Sequence, residues 1–273
     1  MSNALRIRLV AACGLLLLLS SCSQVAITGR RQLNLVPASV MQSLSFQQYG
    51  EFLSQNKLSN NTQQTERVKR VGLRVQKAVE QYCAQNNLSD ALDGYKWEFN
   101  LIEDPSVNAW CVPGGKVVVY TGLLPVAGDD AGLAVVMGHE IAHAIAKHGA
   151  ERMTQNLIVE LGGMGLSQAL TKQPEQTRSL FMKSYGVGTQ YGVLLPYSRV
   201  HESEADHMGL MFMAMAGYDP RQAVNFWERM AAAGKDNASP PEILSTHPAD
   251  ATRIKNIKSL MPEAMQYYNV AQR

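Results

Sequence analysis

The chain has 273 residues, of which 46% are hydrophobic and 18% are charged, and its formal net charge is +2. This length and hydrophobic share fit one globular domain of about 230 residues with a buried core. The near-neutral balance, without a basic run or interleaved basic and aromatic residues, excludes the usual nucleic-acid-binding surface.

The first residues have the pattern of a secretory signal peptide. Arg6 and Arg8 form a positive segment, and the apolar run Leu9–Leu19 follows it. That run is shorter than a comfortable membrane span. We therefore predict that residues 1–21 are removed, which leaves 23 basic and 23 acidic residues in the mature chain.

Small residues and a cysteine follow the apolar run. Leu19-Ser20-Ser21-Cys22 resembles a bacterial lipobox, which implies lipid attachment to Cys22; an ordinary signal peptide with a nearby cysteine is the alternative. Several acyl chains would anchor the protein stably, since each buried CH₂ contributes about 0.8 kcal/mol. On this interpretation residues 22–37 are a lipid-anchored tether. The protein would then face the periplasm of a bacterial cell envelope, and Ser23 favours the outer membrane by analogy.

Helices and two strands are predicted for the first half of the domain. Val40–Leu53 and Glu66–Gln85 carry apolar residues at three- and four-residue steps, which indicates helices. Tyr95–Glu103 alternates apolar and polar residues, and Lys116–Tyr120 is β-branched after a turn at Pro113-Gly114-Gly115, so both are predicted strands.

After Asp129 the chain has a helical pattern throughout. Glycine and proline interrupt it at Gly162-Gly163, Pro174, Pro196, Gly217 and Pro240-Pro241. The sequence therefore predicts one α+β domain over residues 38–273, mainly helical, with a small sheet before the central helix.

The central helix carries His139-Glu140-Ile141-Ala142-His143, an H-E-x-x-H motif. Residues four apart share one helix face, so both imidazoles can reach one Zn²⁺, and Glu140 can take a proton from a metal-bound water. The flanking residues are apolar, and two histidines and a glutamate on a buried helix need polar partners. A metal would be such a partner, which favours a zinc hydrolase over a chance match.

A catalytic zinc usually has a third protein ligand. Gly149 stands where the metzincin pattern requires a third histidine, so that pattern is excluded. His148 lies nine residues after His139 and would point to the opposite side of a continuous helix. We therefore expect His148 to be a surface residue or a residue at the end of the helix.

A later acidic segment offers a carboxylate ligand. Glu202 and Asp206 are four apart and share a helix face, whereas Glu204 projects to the far side. We predict Glu202 as the third ligand and Asp206 as the acid that orients a ligating imidazole. A solvated acidic face is the alternative. Gly209 would let this helix approach another one closely.

Cys83 and Cys111 remain in the mature chain besides Cys22. In an oxidising compartment they could form one disulfide, and two separate buried thiols are an equally good interpretation. A metal role is less favoured, because they are not in C-x-x-C spacing.

These motifs are similar to those of the zinc metallopeptidases that include the CAAX prenyl protease and the HtpX-like proteases. That family combines H-E-x-x-H with E-x-x-A-D on a later helix, here His139–His143 and Glu202–Asp206. Two further stretches resemble it. The first is Val107-Asn108-Ala109-Trp110 leading to Pro113-Gly114-Gly115-Lys116 and Thr121-Gly122-Leu123-Leu124, and the second is Ser245-Thr246-His247-Pro248 with Arg253-Ile254.

The resemblance implies a zincin-like domain with an edge strand before the active-site helix. It also implies one Zn²⁺ per chain, held by His139, His143 and Glu202. It places His247 near the metal, where this residue could stabilise the developing oxyanion; a loop residue before the last helix is the alternative.

We therefore expect an endopeptidase that cleaves misfolded or unassembled cell-envelope proteins, with Glu140 as general base. Polypeptide substrates could pair with Asn108–Cys111 as an added strand. The alternative is a non-proteolytic envelope lipoprotein that acts as a chaperone or assembly factor on the same fold. An intact Glu140 favours the enzyme, and the sequence does not indicate an oligomeric state.

Overall fold

The structure, a computed structural model, describes residues 22–25, 27–160, 174–185, 198–236, 243–247 and 251–272. The predicted signal peptide and the breaks predicted at Gly162-Gly163, Pro196 and Pro240-Pro241 lie outside these residues.

The described part of the chain is mainly helical, as the sequence predicts. Its strands are β1 (Cys22–Gln24), β2 (Arg31–Leu33), β3 (Glu98–Ile102), β4 (Ala109–Val112) and β5 (Lys116–Tyr120). Its α-helices are α1 (Ala38–Gln55), α2 (Thr62–Gln85), α3 (Leu123–Ala127), α4 (Asp130–Ile145), α5 (His148–Glu160), α6 (Pro174–Tyr185), α7 (Arg199–Met215), α8 (Gln222–Asp236), α9 (Ile243–Thr246) and α10 (Ala251–Ala271).

The three strands before the central helix form one sheet in the order β3-β5-β4. β3 runs parallel to β5, with Glu98 opposite Lys116, and β4 runs antiparallel to β5. Among the strands that the structure describes, β4 therefore lies at an edge of this sheet, as the family resemblance implies.

Both faces of this sheet are buried. Successive side chains of a strand point to opposite faces, so each strand contributes to two cores. Leu101 and Val119 pack into a core that also contains α2, α4 and α7. Ile102 and Val118 pack into a second core with α1, α5 and α6. The sheet is thus the layer between the two cores.

α4 crosses α7 with the two backbones in direct contact. A Cβ atom on Gly209 would lie 2.8 Å from the backbone nitrogen of His139, and one on Gly138 would lie 2.9 Å from the Gly209 carbonyl oxygen. The close approach expected of Gly209 is therefore observed. Asp129 caps α4 by accepting a hydrogen bond from Gly132 N at 2.8 Å, and Ser198 caps α7 in the same way.

The N-terminal residues fold onto the body of the protein. β1 and β2 pair as an antiparallel hairpin, and Val25 and Val36 are buried. Arg30, between the strands, forms ion pairs with Glu151 and Glu204 at 2.8 Å each. Apolar burial and ion pairing therefore hold much of residues 22–37, the segment predicted to be a tether, against the body of the protein.

Cys83 and Cys111 are separate free thiols, both buried in the same core. The disulfide interpretation is therefore wrong, and that of two buried thiols holds. Burial raises the pKa of each thiol, which keeps both protonated. Within the described ranges, none of the helices combines the length and apolar character needed to cross a bilayer.

Candidate metal centre

α4 presents two imidazoles side by side inside the protein. His139 and His143 are each 2% exposed, and their Nε2 atoms lie 3.0 Å apart. The four-residue spacing on one helix produces this arrangement, as the sequence predicts.

α7 brings the carboxylate of Glu202 against both rings. Its Oε1 lies 3.2 Å from His143 Nε2, and its Oε2 lies 3.5 Å from His139 Nε2. This approach depends on the crossing of α4 and α7, since larger residues at Gly138 or Gly209 would separate the two backbones.

A third imidazole reaches the same point from the end of α9. His247 Nδ1 lies 3.2 Å from His139 Nε2 and 2.8 Å from Glu202 Oε1. His139, His143, Glu202 and His247 each offer one donor atom, and these atoms all lie within 4.8 Å of one another. The location that the resemblance implies for His247 is thus observed.

The donor set fits zinc. A tetrahedral zinc with ligand distances near 2.0–2.1 Å would hold its donors roughly 3.3 Å apart, close to the spacings in this group.

The protonation states of the donors also suit a metal. Burial lowers the pKa of His143 well below its usual value. Burial alone would raise the pKa of Glu202, but His247 and Arg253 hold it well below its usual value. A neutral imidazole and an ionised carboxylate are the states that bind a metal.

Glu140 lies beside the donor group with its carboxylate buried. Its Oε1 accepts no hydrogen bond from the residues that the structure describes, and His247 Nε2 is 3.6 Å away. Burial raises the pKa of Glu140 to about 7. A carboxyl group with a pKa near neutrality can both take up and release a proton, as a general acid–base must.

Asp206 occupies the position predicted for it. Its Oδ1 lies 3.0 Å from His139 Nδ1, on the side of the ring opposite the donor group. A carboxylate there fixes the orientation and tautomer of the imidazole.

Arg253 is a residue of the centre for which the sequence pattern predicts no role. Its Nε and Nη2 donate to Asp206 at 2.8 and 2.6 Å, and its Nη1 lies 3.1 Å from Glu202 Oε2. The guanidinium stacks 3.2 Å from the centroid of the Trp227 ring. The only available signal was its place in the C-terminal motif.

His148 corrects another expectation. It is fully buried, not at the surface, and its Nδ1 lies 2.9 Å from His143 Nδ1. The expectation assumed a continuous helix, but α4 ends at Ile145 and Lys147 has a φ of 59°. The left-handed backbone conformation of Lys147 changes the direction of the chain, so α5 begins with His148 facing back toward α4.

The model of peptidase family M48 matches residues 64–261. The mitochondrial metalloendopeptidase OMA1 of Schizosaccharomyces pombe is 37% identical over 192 residues, covering 70% of this chain and 53% of the relative. The Homo sapiens metalloendopeptidase OMA1 is 31% identical, covering 88% of this chain and 46% of the relative. The beta-barrel assembly-enhancing protease of Escherichia coli is 29% identical, covering 60% of this chain and 34% of the relative. The chain thus spans about half the length of these relatives, or less.

The predicted localisation is contradicted by these comparisons. We expected a lipid-anchored protein of the bacterial cell envelope, but the relatives at 31–37% identity are named as mitochondrial. The comparisons do not support a lipid anchor at Cys22. The prediction rested on a local pattern alone, namely two arginines, an apolar run and Cys22.

Proposed function

Because the chain belongs to peptidase family M48, we propose that it is a zinc-dependent endopeptidase acting on misfolded or unassembled polypeptides. The observation that carries the proposal is the buried donor group of His139, His143 and Glu202, with the carboxylate of Glu140 beside it. M48 metalloproteases use zinc, and the donor chemistry of this site suits that ion.

Each residue of the centre has a distinct task in this proposal. His139, His143 and Glu202 would hold the zinc. When bound, zinc supplies Lewis acidity, which polarises a carbonyl and lowers the pKa of a water molecule to about 7. Glu140 would accept a proton from the attacking water at Oε1 and then return it to the nitrogen of the leaving amine. His247 Nε2, on the side of Glu140, would donate to the oxyanion that develops on the scissile carbonyl.

The position of β4 supports an unfolded substrate. Its four residues are buried, and among the strands that the structure describes it pairs with β5 and lies at the edge of the sheet, directly against α4. An extended polypeptide that added to this edge would be bound mainly through its backbone. Such binding has little selectivity for the side chains of the substrate. A folded protein seldom offers such a strand, so we propose that misfolded or unassembled chains are the substrates.

A non-proteolytic chaperone or assembly factor on the same fold is the competing function. The retained general base favours the protease, because binding alone does not require an acid with a pKa near neutrality beside the donor group. The relatives named above are called metalloendopeptidases and a protease, which supports the same choice.

Glu140→Gln tests the proposal. We expect the variant to bind zinc as the unchanged protein does, because no ligand is removed. Its cleavage of unfolded casein should fall by about 10²- to 10⁴-fold, which is the usual contribution of a general base. Peptide release and elemental analysis would measure the two properties on the same preparation.

Glu263→Gln is a matched control, since Glu263 is a half-exposed glutamate on α10 that pairs with His207. It should retain both zinc and activity. Undiminished casein cleavage by zinc-loaded Glu140→Gln would refute the proposed mechanism, and an inactive but zinc-loaded unchanged protein would favour the chaperone.

A further inference from the structure

A second group of buried charged and polar residues lies behind His143, on the side away from the donor group. His148 Nε2 lies 2.8 Å from Glu204 Oε2, and His201 Nε2 lies 3.0 Å from Glu151 Oε2. The His148 and His201 rings stack with centroids 4.4 Å apart. All four residues are at most 9% exposed, and the mechanism above uses none of them.

Arg30 of the N-terminal hairpin joins the two carboxylates. Its Nη1 and Nη2 donate to Glu151 at 3.2 and 2.8 Å, and its Nε donates to Glu204 at 2.8 Å. The hydroxyl of Thr28 also donates to Glu204. Paired Arg–carboxylate hydrogen bonds of this kind fix geometry as well as charge.

The positions of the protons in this group follow from the metal centre. His143 Nε2 faces the other donors, so a zinc ligand at that atom must carry its proton on Nδ1. His143 Nδ1 and His148 Nδ1 are 2.9 Å apart, and one of the two must donate. Since His143 holds the proton, His148 Nδ1 accepts. A neutral His148 then carries its proton on Nε2, which donates to Glu204.

We infer that Glu204 is the carboxylate that orients His143, acting through His148, and that Arg30 holds Glu204 in place. His139 has a direct carboxylate partner in Asp206. For His143, the imidazole of His148 lies between its ring and the carboxylate of Glu204. α7 would thus supply one zinc ligand and, from opposite faces, a positioning residue for each imidazole of α4. The inference rests on the zinc site of the proposed function.

Histidine tautomers in the unchanged, zinc-loaded protein test the inference without any substitution. The chain has six histidines, so two-bond ¹H–¹⁵N correlation spectra of ¹⁵N-histidine-labelled protein can be assigned with single variants. We expect His143 protonated at Nδ1 and His148 protonated at Nε2 only. A proton on His148 Nδ1 would overturn the inference.

Zinc affinity is the second readout. Loss of a group that orients a metal ligand typically weakens affinity about 10- to 100-fold, and we expect this for Glu204→Gln and His148→Asn in competition with a chelator. Arg30→Met should weaken affinity less, because it acts through one further contact. His207→Asn is the matched control: His207 lies on the same helix and pairs with Glu263 at 2.9 Å, but at the surface.

The outcomes separate the inference from the proposed function. If Glu204→Gln and His148→Asn bind zinc as tightly as His207→Asn, the inference fails while the protease proposal stands. If both variants weaken zinc but the unchanged protein cleaves no unfolded polypeptide, the inference stands and the proposed function fails. An unchanged protein that binds no zinc would overturn both.

Discussion

Arg253 lies between two buried carboxylates of the centre. Its Nη1 is 3.1 Å from Glu202 Oε2, and its Nη2 is 2.6 Å from Asp206 Oδ1. One guanidinium therefore compensates the charges of a proposed zinc ligand and of the acid that orients His139. Without it, two carboxylates would face each other in a site where each is less than 10% exposed, which is costly in a medium of low polarity.

We predict that Arg253→Met lowers the free energy of unfolding by about 3–5 kcal/mol, as removal of one partner of a buried ion pair does. Arg253→Lys keeps the charge but lacks the planar fork, so it should fall between Arg253→Met and the unchanged protein. Urea denaturation measures the effect. Arg221→Met, which breaks an exposed pair with Asp219, should cost only about 0–1 kcal/mol. Equal losses for Arg253→Met and Arg221→Met would contradict this account.

At the scale of elements, the contact of α4 with α7 brings the ligands of two helices together. The contact exists because Gly138 and Gly209 face each other without side chains. A distance of 2.8 Å between a new Cβ and the backbone of His139 cannot be relieved by a rotamer change. The helices would have to move apart, and Glu202 would move with α7.

Gly209→Ala should therefore weaken zinc binding and lower the unfolding midpoint. The matched control is Gly50→Ala, since Gly50 lies within α1 and a Cβ there meets nothing within 4 Å. Replacing a glycine inside a helix by alanine usually stabilises by about 0.5–1 kcal/mol, so the two substitutions should have opposite signs. Thermal denaturation and chelator competition measure both effects. A neutral Gly209→Ala would refute the role of this contact.

Elements with a local signal were predictable. The four-residue spacing of His139 and His143, and of Glu202 and Asp206, identified residues that the structure places around one point.

The position of His148 was predicted wrongly, because Lys147 adopts a left-handed backbone conformation and ends the helix without a glycine or proline to mark it. Arg30 and Arg253 contact partners 174 and 47 residues away, and periodicity carries no information at such separations. The state of Cys83 and Cys111 likewise depended on tertiary distances.

At the scale of the whole molecule, the N-terminal hairpin lies outside residues 64–261, the part that matches the family. Arg30 connects it to α5 and α7 through Glu151 and Glu204. Burial alone would raise the pKa of Glu151, but hydrogen bonds from His201 and Arg30 lower it to about 2. A carboxyl group with a lowered pKa stabilises the fold above its unfolded value of 4.5 and loses that contribution as the pH falls toward 2.

Glu151→Gln should therefore flatten the decline of stability between about pH 5 and pH 2. Urea unfolding of metal-free protein at several pH values measures this slope without interference from zinc release. Glu66→Gln is the control, because Glu66 is exposed and its pair with Lys69 lies on the surface. If the two variants lose stability with the same pH dependence, Glu151 is not the group responsible.

The central claim is that one zinc ion binds where α4 and α7 meet. Anomalous diffraction at the zinc edge, from crystals of the zinc-loaded protein, tests it most directly. We predict one peak per chain at about 2.0–2.2 Å from His139 Nε2, His143 Nε2 and a carboxylate oxygen of Glu202. No peak at that point, or a peak bound by Glu204 in place of Glu202, would contradict the account.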